Sequence, residues 1–362
     1  MRHFVTNSVF QNTTGLLTIL VLVIFCSWPA MHSPLFTDDF IQVEYNTVLT
    51  KWSQIFGPDG FNFFRPVKNA IFSIAAPLKD NLLAWHSIGL ATYLAATIGV
   101  YRIAYICLGS TRPAWLAAFC WALSPSCVST AIWLSCANIS LGIAFAACVF
   151  HFHERWATRQ SLTSAIASAV FFAMALLSYE SLIALPALLF FRDLQQRRIT
   201  IDHRTIFRYG TYFIIVLTFL YIRHLYSAKS FGVNNFHPGW APDTKGIYLT
   251  LSAPWFLWRH FLMWIFPFGK LEVLGSYRWL YSASVPSLAF AWLFLAALLI
   301  SVVALWKRYP PISYGILFFF IAIFPAGNFI PTFNGPIHDA YVTFPSMGLA
   351  LAFAFGCVIL FR

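Results

Sequence analysis

Two aspartates stand side by side at positions 38 and 39, in the stretch SPLFTDDFIQVEYN that follows the first long apolar run. Adjacent carboxylates raise each other's pKa, because the second proton leaves against a negative charge already present. Such a pair suits a general base that activates a hydroxyl, or a metal ligand, and equally a helix cap or a solvated turn.

Further along, FNFFRPVKNAIF sets Arg65 and Lys68 in an aromatic frame. The arginine fork donates two parallel hydrogen bonds and fits a lipid phosphate, although basic side chains that snorkel at helix ends have the same appearance. Three more polar points fall at the ends of apolar runs: Ser135 to Asn138, Tyr179 with Glu180, and His338 with Asp339. Ionisable groups at membrane depth favour a functional reading. The bland readings are an inter-helix hydrogen bond for Asn138, an interfacial residue for Glu180, and a solvated turn for His338 and Asp339. HFHER at 151–155 looks like a metal site, but histidines two apart point to different helix faces. The seven cysteines, at 26, 107, 120, 127, 136, 148 and 357, lie in or beside apolar runs without a CxxC pair and read as small buried hydrophobes. The sequons at Asn12 and Asn138 read as accidental, one on the predicted inner side and one beside a span.

The elements that must position these residues are apolar helices. Of the 362 residues 59% are hydrophobic and 10% charged, where a soluble domain carries about a quarter charged residues. That leaves too little polar surface to cover a water-soluble body. The net charge of +11 comes from basic residues dispersed among short connections, which argues against a nucleic-acid interface. Apolar runs long enough to cross a bilayer lie at about 15–30, 82–101, 113–130, 132–151, 162–178, 180–192, 207–226, 284–306, 312–330 and 341–361, predicting about ten transmembrane helices in an all-α integral membrane protein. The first run lacks a small-x-small cleavage site and reads as a signal anchor. Arg102 and Arg112, Arg155 and Arg159, the group from Arg192 to Arg208, and Lys307 and Arg308 fall in alternate connections, which places both termini in the cytoplasm. The opposite side receives two long loops, 31–81 and 227–283. The second carries Trp255, Trp258 and Trp264, suited to an interfacial helix or a re-entrant hairpin. No internal repeat and no separate soluble domain is visible, so residues 1–362 read as one polytopic membrane domain.

Taken in order, TDDFIQVEYN, FFRPV, SPSCVSTAIWLSCANISLGIAFAACVFHF, LLSYESLIALPALLFFRDL and IFPAGNFIPTFNGPIHDAYVTFPSMGLALAFAFG resemble segments of the GT-C glycosyltransferases, in the branch related to protein O-mannosyltransferases. The resemblance implies a GT-C-like membrane fold whose long outer first loop carries short interfacial helices. It also implies transfer of a sugar from a polyprenyl-phosphate donor to an acceptor hydroxyl on a protein, glycan or lipid, at the periplasmic or lumenal face. The membrane would be a bacterial inner membrane, or the endoplasmic reticulum in a eukaryote. Asp38 and Asp39 match the family's general base, Arg65 a donor-phosphate contact and Glu180 a polar support near the outer mouth of the cavity. Asn138 and Asp339 are further supporting residues. No cofactor is required, although a divalent metal is compatible with such chemistry.

Two positions depart from the pattern: Tyr179 stands where the family segment has lysine, and His338 and Asp339 stand where it offers an arginine beside an acid. Both changes remove a cation, leaving His338, Arg65 or Arg278 to meet the donor phosphate, or a different lipid, or lost catalysis. The other readings are a transporter or flippase for a lipid-linked solute and a catalytically inactive scaffold subunit.

Overall fold

The computed structural model describes residues 2–36, 38–47, 52–61, 63–78, 81–226, 246–266, 285–327, 329 and 338–361, and all its regular elements are helical. In chain order the α-helices are α1 (Arg2–Ser27), α2 (Asp38–Thr47), α3 (Pro66–Ala75), α4 (Leu82–Leu108), α5 (Thr111–Ala122), α6 (Pro125–Ile132), α7 (Ala137–Arg159), α8 (Leu162–Ser178), α9 (Leu185–Gln195), α10 (His203–Tyr226), α11 (Gly246–Ile265), α12 (Val285–Leu305), α13 (Pro310–Ile323), α14 (Asp339–Val342) and α15 (Ser346–Leu360). Short 3-10 turns at Leu134–Cys136 and Glu180–Ala184 precede α7 and α9.

Five of the described helical stretches are long and apolar enough to cross a membrane: Thr13–His32, Leu82–Leu108, Leu134–Arg159, His203–Tyr226 and Pro286–Leu305. The pair α5 and α6 makes a sixth if counted as one span, bent by 66°. The bend falls where Pro125 opens α6, since proline cannot donate to a continuing helix ladder but fits the first turn of a new one. The shorter apolar helices α8, α13 and α15 have 17, 14 and 15 residues. At about 1.5 Å per residue each falls short of a hydrocarbon core of about 30 Å. The run at 180–192 departs most from a simple span, because it opens as a 3-10 turn and continues as an 11-residue helix carrying Arg192 and Asp193. Large apolar side chains face outward along α1 (Leu17, Val21, Phe25), α10 (Phe213, Ile214, Leu217) and α12 (Leu293, Ile300, Val303). In water this surface would aggregate; in lipid it is solvated. The chain is a membrane-embedded α-helical protein.

Small residues let the helices approach closely, as expected where lipid tails are as apolar as the side chains. Gly315 of α13 and Gly348 of α15 meet backbone to backbone, and a Cβ added at Gly348 would sit 2.3 Å from the Gly315 carbonyl oxygen. Gly348→Leu is therefore expected to separate α13 from α15, at about 3 kcal/mol or more. A lowered melting midpoint and loss of monodispersity in detergent would register it, and an unchanged midpoint would contradict this packing. Nearby, Tyr93 stacks on Trp121 at 5.2 Å, and the Trp121 indole N–H donates to the Thr343 carbonyl (2.6 Å), tying α5 to the segment between α14 and α15.

The Trp-rich stretch, over its described part, forms one helix, α11, rather than a hairpin, with Pro254 inside it. Trp258 packs against Phe290 and Phe294 of α12. Of the cysteines only Cys127 and Cys136 are buried; Cys26 is exposed on α1 and the other four are half-buried, and all are free thiols. Burial was too general an expectation, because the apolar runs that carry them face lipid as well as core.

The helices join two polar ends. At the acidic end lie the start of α2, the turn before α7, Glu180 and α14. At the arginine-rich end the C-terminal parts of α4, α7 and α9 meet the N-terminal part of α10.

Candidate functional site at the acidic end

The two aspartates have different environments. Asp39 is fully buried, and its Oδ1 accepts both the backbone N–H and the hydroxyl of Ser135, each at 2.7 Å, while Oδ2 accepts the Phe36 N–H at 3.3 Å. It locks the first turn of α2 to the corner before α7. Burial raises its carboxyl above the ordinary range, and the hydrogen bonds from Ser135 and Phe36 offset only part of that. Asp38 is half-buried, and among the described residues its carboxylate accepts no hydrogen bond. Burial raises it too; the charge of His338 opposes that first, Asp59 raises it again, and Lys68 and Arg65 lower it. These groups, scattered along the sequence, lie within electrostatic reach of one carboxylate.

The floor under Asp38 is a buried network that the sequence did not reveal. Lys68 is wholly buried, and its ammonium donates to Asp59 Oδ2 at 2.5 Å and to the Gln42 side-chain oxygen. Asp59 Oδ1 accepts the Phe61 and Phe63 N–H groups, both at 2.9 Å. Burial alone would raise Asp59, but the charge of Lys68, then of Arg65, brings it below the usual carboxylate range. Burial pushes Lys68 down to about 8, against the pull of Asp59. Lys68 thus braces α2 against α3, where the sequence suggested a cation meeting a lipid phosphate. Further stitches are Tyr45 Oη donating to the Pro58 carbonyl (2.6 Å) and Asn69 Nδ2 to the Ile55 carbonyl (3.3 Å).

Arg65 stands at the N-cap position of α3 and forms a two-pronged pair with Glu180, Nε to Oε2 at 3.0 Å and Nη2 to Oε1 at 2.8 Å, with its guanidinium 4.2 Å from the centre of the Phe63 ring. Burial would lower Arg65, but Glu180 raises it well above its ordinary value. Both side chains keep partial exposure, 12% and 17%. Arg223 of α10 also acts on Glu180 electrostatically. Phe64 beside Arg65 stacks on Tyr226 at 6.0 Å, which joins the first loop to the far end of α10.

His338 stacks on Trp133 with ring centres 5.2 Å apart and planes 20° from parallel. Its Nδ1 lies 3.0 Å from the Ala340 nitrogen and 3.1 Å from Asp339 Oδ1, and its backbone N–H faces His260 Nε2 at 3.5 Å. Asp339 is fully buried, and among the described residues its Oδ2 has no hydrogen-bond partner. Asn138 is buried in the first turn of α7, and among the described residues no hydrogen bond links it to Asp38, Asp39 or Arg65. Arg278 lies outside the described residues.

The structure therefore brings Asp38, Arg65 and His338 together, with Glu180 on Arg65 and Asp339 on His338. It adds Gln42, Asp59, Trp133, Arg223 and His260, none of which carried a signal of its own: Asp59 sits in a GPDG turn and Trp133 in an apolar run. Among the described residues no group of three or more His, Cys, Asp or Glu is placed to hold a metal ion. What the arrangement offers chemically is one half-buried carboxylate beside a buried neighbour, within electrostatic reach of an imidazole and an oriented guanidinium.

The other histidine motif stands at the opposite end and is structural. His153 is buried, with Nε2 3.1 Å from Asp193 Oδ2 and Nδ1 2.9 Å from the Tyr212 hydroxyl, so it staples α7 to α9 and α10. No protein-family model matches this chain, and no curated protein matches it.

Proposed function

We propose that the protein is a membrane glycosyltransferase that moves a sugar from a polyprenyl-phosphate donor to an acceptor hydroxyl at the acidic end of the helices. The reading also takes the helices as ten crossings with both termini on the arginine-rich, cytoplasmic side. The observation that carries it is the division of labour between the aspartates: Asp39 is an anchor, which leaves Asp38 as a half-buried carboxylate without a hydrogen bond among the described residues, within electrostatic reach of His338 and Arg65.

In the proposed step the acceptor oxygen attacks the sugar's anomeric carbon and the bond to the phosphate oxygen breaks. The acceptor proton passes to Asp38, and the polyprenyl phosphate departs as an anion. That leaving group needs cationic stabilisation rather than a proton. Glu180 occupies one edge of the Arg65 fork and orients the guanidinium; His338 supplies a second donor. The sugar configuration inverts, because a single displacement exchanges the faces of the carbon. An apolar groove of about 340 Å³ between α3 and α4, lined by Ile71, Ile74, Ala75, Pro77, Leu78 and Ile88, is suited to the start of the polyprenyl chain.

A second reading, a catalytically inactive scaffold, is favoured by the pairing of both nearby cations with acids, Arg65 with Glu180 and Lys68 with Asp59. The dependence of polyprenyl-phosphate release on pH separates the two. A carboxylate base works only when deprotonated, so the rate rises with pH through the elevated pKa of Asp38. Removing the opposing charge in His338→Ala raises that pKa further and moves the acid limb to higher pH. Absence of release at every pH supports the scaffold, and an acid limb that stays in place in His338→Ala removes Asp38 as the base.

A further inference from the structure

The arginine-rich end contains a second built constellation that the proposed chemistry does not use. From α10 to α4 it runs Arg208, Asp193, Arg198, Glu154, Arg192. Arg208 Nη1 donates to Asp193 Oδ2 at 2.7 Å, Arg198 Nη2 to Glu154 Oε1 at 2.7 Å, and Arg192 Nη2 to the Ile106 carbonyl at 2.6 Å. Arg192 and Arg208 are 7% and 6% exposed, so their charges are largely out of water. Even so, Arg192 Nε, Arg198 Nη1 and Arg208 Nε are buried with no hydrogen-bond partner among the described residues. The carboxylates nearest two of them stand too far for a hydrogen bond, Glu154 at 3.7 Å from Arg192 Nε and Asp193 at 3.8 Å from Arg198 Nη1.

Three cations against two carboxylates leave an excess positive charge, and each orphaned N–H is a donor whose burial costs free energy while it lacks an acceptor. His153, packed against Asp193, adds no acid, and Tyr209 spends its hydroxyl on Asp193 Oδ2 at 2.9 Å. The exposed residues beside the network, Arg155 and Arg204, extend the positive field, and the described acids of this end are Glu154, Asp193 and Asp202. Arg198, 27% exposed, opens the network outward. The helices that carry these groups end here, so in a bilayer the network stands at headgroup level. A guanidinium cluster with spare donors at that depth suits the phosphate of an anionic lipid, whose oxygens accept several N–H groups at once.

We propose that Arg192, Arg198 and Arg208 bind the phosphate headgroup of an anionic glycerophospholipid, which fastens α7, α9 and α10 together at this end. The inference rests on membrane embedding and is independent of the glycosyl-transfer reading.

The test is thermal unfolding of the full chain in vesicles of phosphatidylcholine with and without phosphatidylglycerol. Phosphatidylglycerol is expected to raise the wild-type midpoint by about 4 °C, as a ligand that binds only the folded state does. The rise is lost in Arg198→Gln and in Arg198→Lys, which keeps the charge and the link to Glu154 but not the fork. It persists in Arg155→Gln and Arg204→Gln, which remove the same charge outside the network. No rise in wild type, or an equal rise in the Arg198 variants, overturns the proposal. So does an equal rise produced by inorganic phosphate in phosphatidylcholine vesicles, which would make the ligand a free anion rather than a lipid.

Discussion

Lys68→Met is expected to lower the stability of the folded protein by about 3–5 kcal/mol, the cost of leaving one member of a buried ion pair without its partner. Lys68 and Asp59 are both excluded from solvent, and the same ammonium also serves Gln42, so the change leaves the Asp59 charge without a cation and the Gln42 side-chain oxygen without its donor. Adding Asp59→Asn restores part of the loss, because the stranded charge is gone; a double variant as unstable as the sum of the singles would argue against a coupled pair. The same pair predicts a dependence on pH. Lys68 holds its proton up to about 8 in the folded protein, because burial penalises the ammonium, and up to its ordinary 10.5 when unfolded. Between those values the unfolded state binds more protons, so stability rises with pH across the window, and the gain is lost as pH falls through 8. Chemical unfolding followed from pH 7.5 to 10.5 should show this rise in wild type and a flatter curve in Lys68→Met.

Asp38→Asn is expected to slow sugar transfer by about 10²–10⁴-fold, the usual contribution of a general base, while leaving the melting midpoint near that of wild type. Asp39→Ala should do the reverse in its first effect. Losing the acceptor for both Ser135 donors costs about 2–4 kcal/mol, because hydrogen bonds to a carboxylate are stronger than neutral ones and the half-buried Ser135 N–H and hydroxyl lose it together. Midpoints measured beside initial rates separate the two roles. Equal rate losses with equal stability losses in both variants would merge them again.

The adjacent acids at 38 and 39 stood out because two carboxylates after an apolar run are costly and so call for a reason. Their different roles were invisible, since the group that captures Asp39 is Ser135, 96 residues away. For the same reason Arg65 and Glu180 were each singled out but not joined: a contact across 115 residues leaves no trace in spacing. Lys68 read as a cation for a lipid phosphate or a snorkelling basic residue because Asp59, the acid that pairs with it, lies in a turn that any solvated loop would have. Hydropathy located the apolar runs well, but it measures dryness rather than geometry. It therefore merged α5 with α6 across the bend at Pro125, and drew a span over 180–192, where a 3-10 turn leads into the helix that ends with Arg192, Asp193 and Gln195. The arginines were legible as a charge pattern in alternate connections, whereas their assembly into a ladder with Glu154 and Asp193 required the helices to be placed.

The most direct test is to supply the purified wild-type protein, in lipid vesicles, with a panel of polyprenyl-phosphate sugars and acceptor hydroxyls, and to determine the anomeric configuration of any product. The account predicts release of polyprenyl phosphate with a product of inverted configuration from at least one donor. A product of retained configuration, or no release from any donor by folded protein, would contradict it.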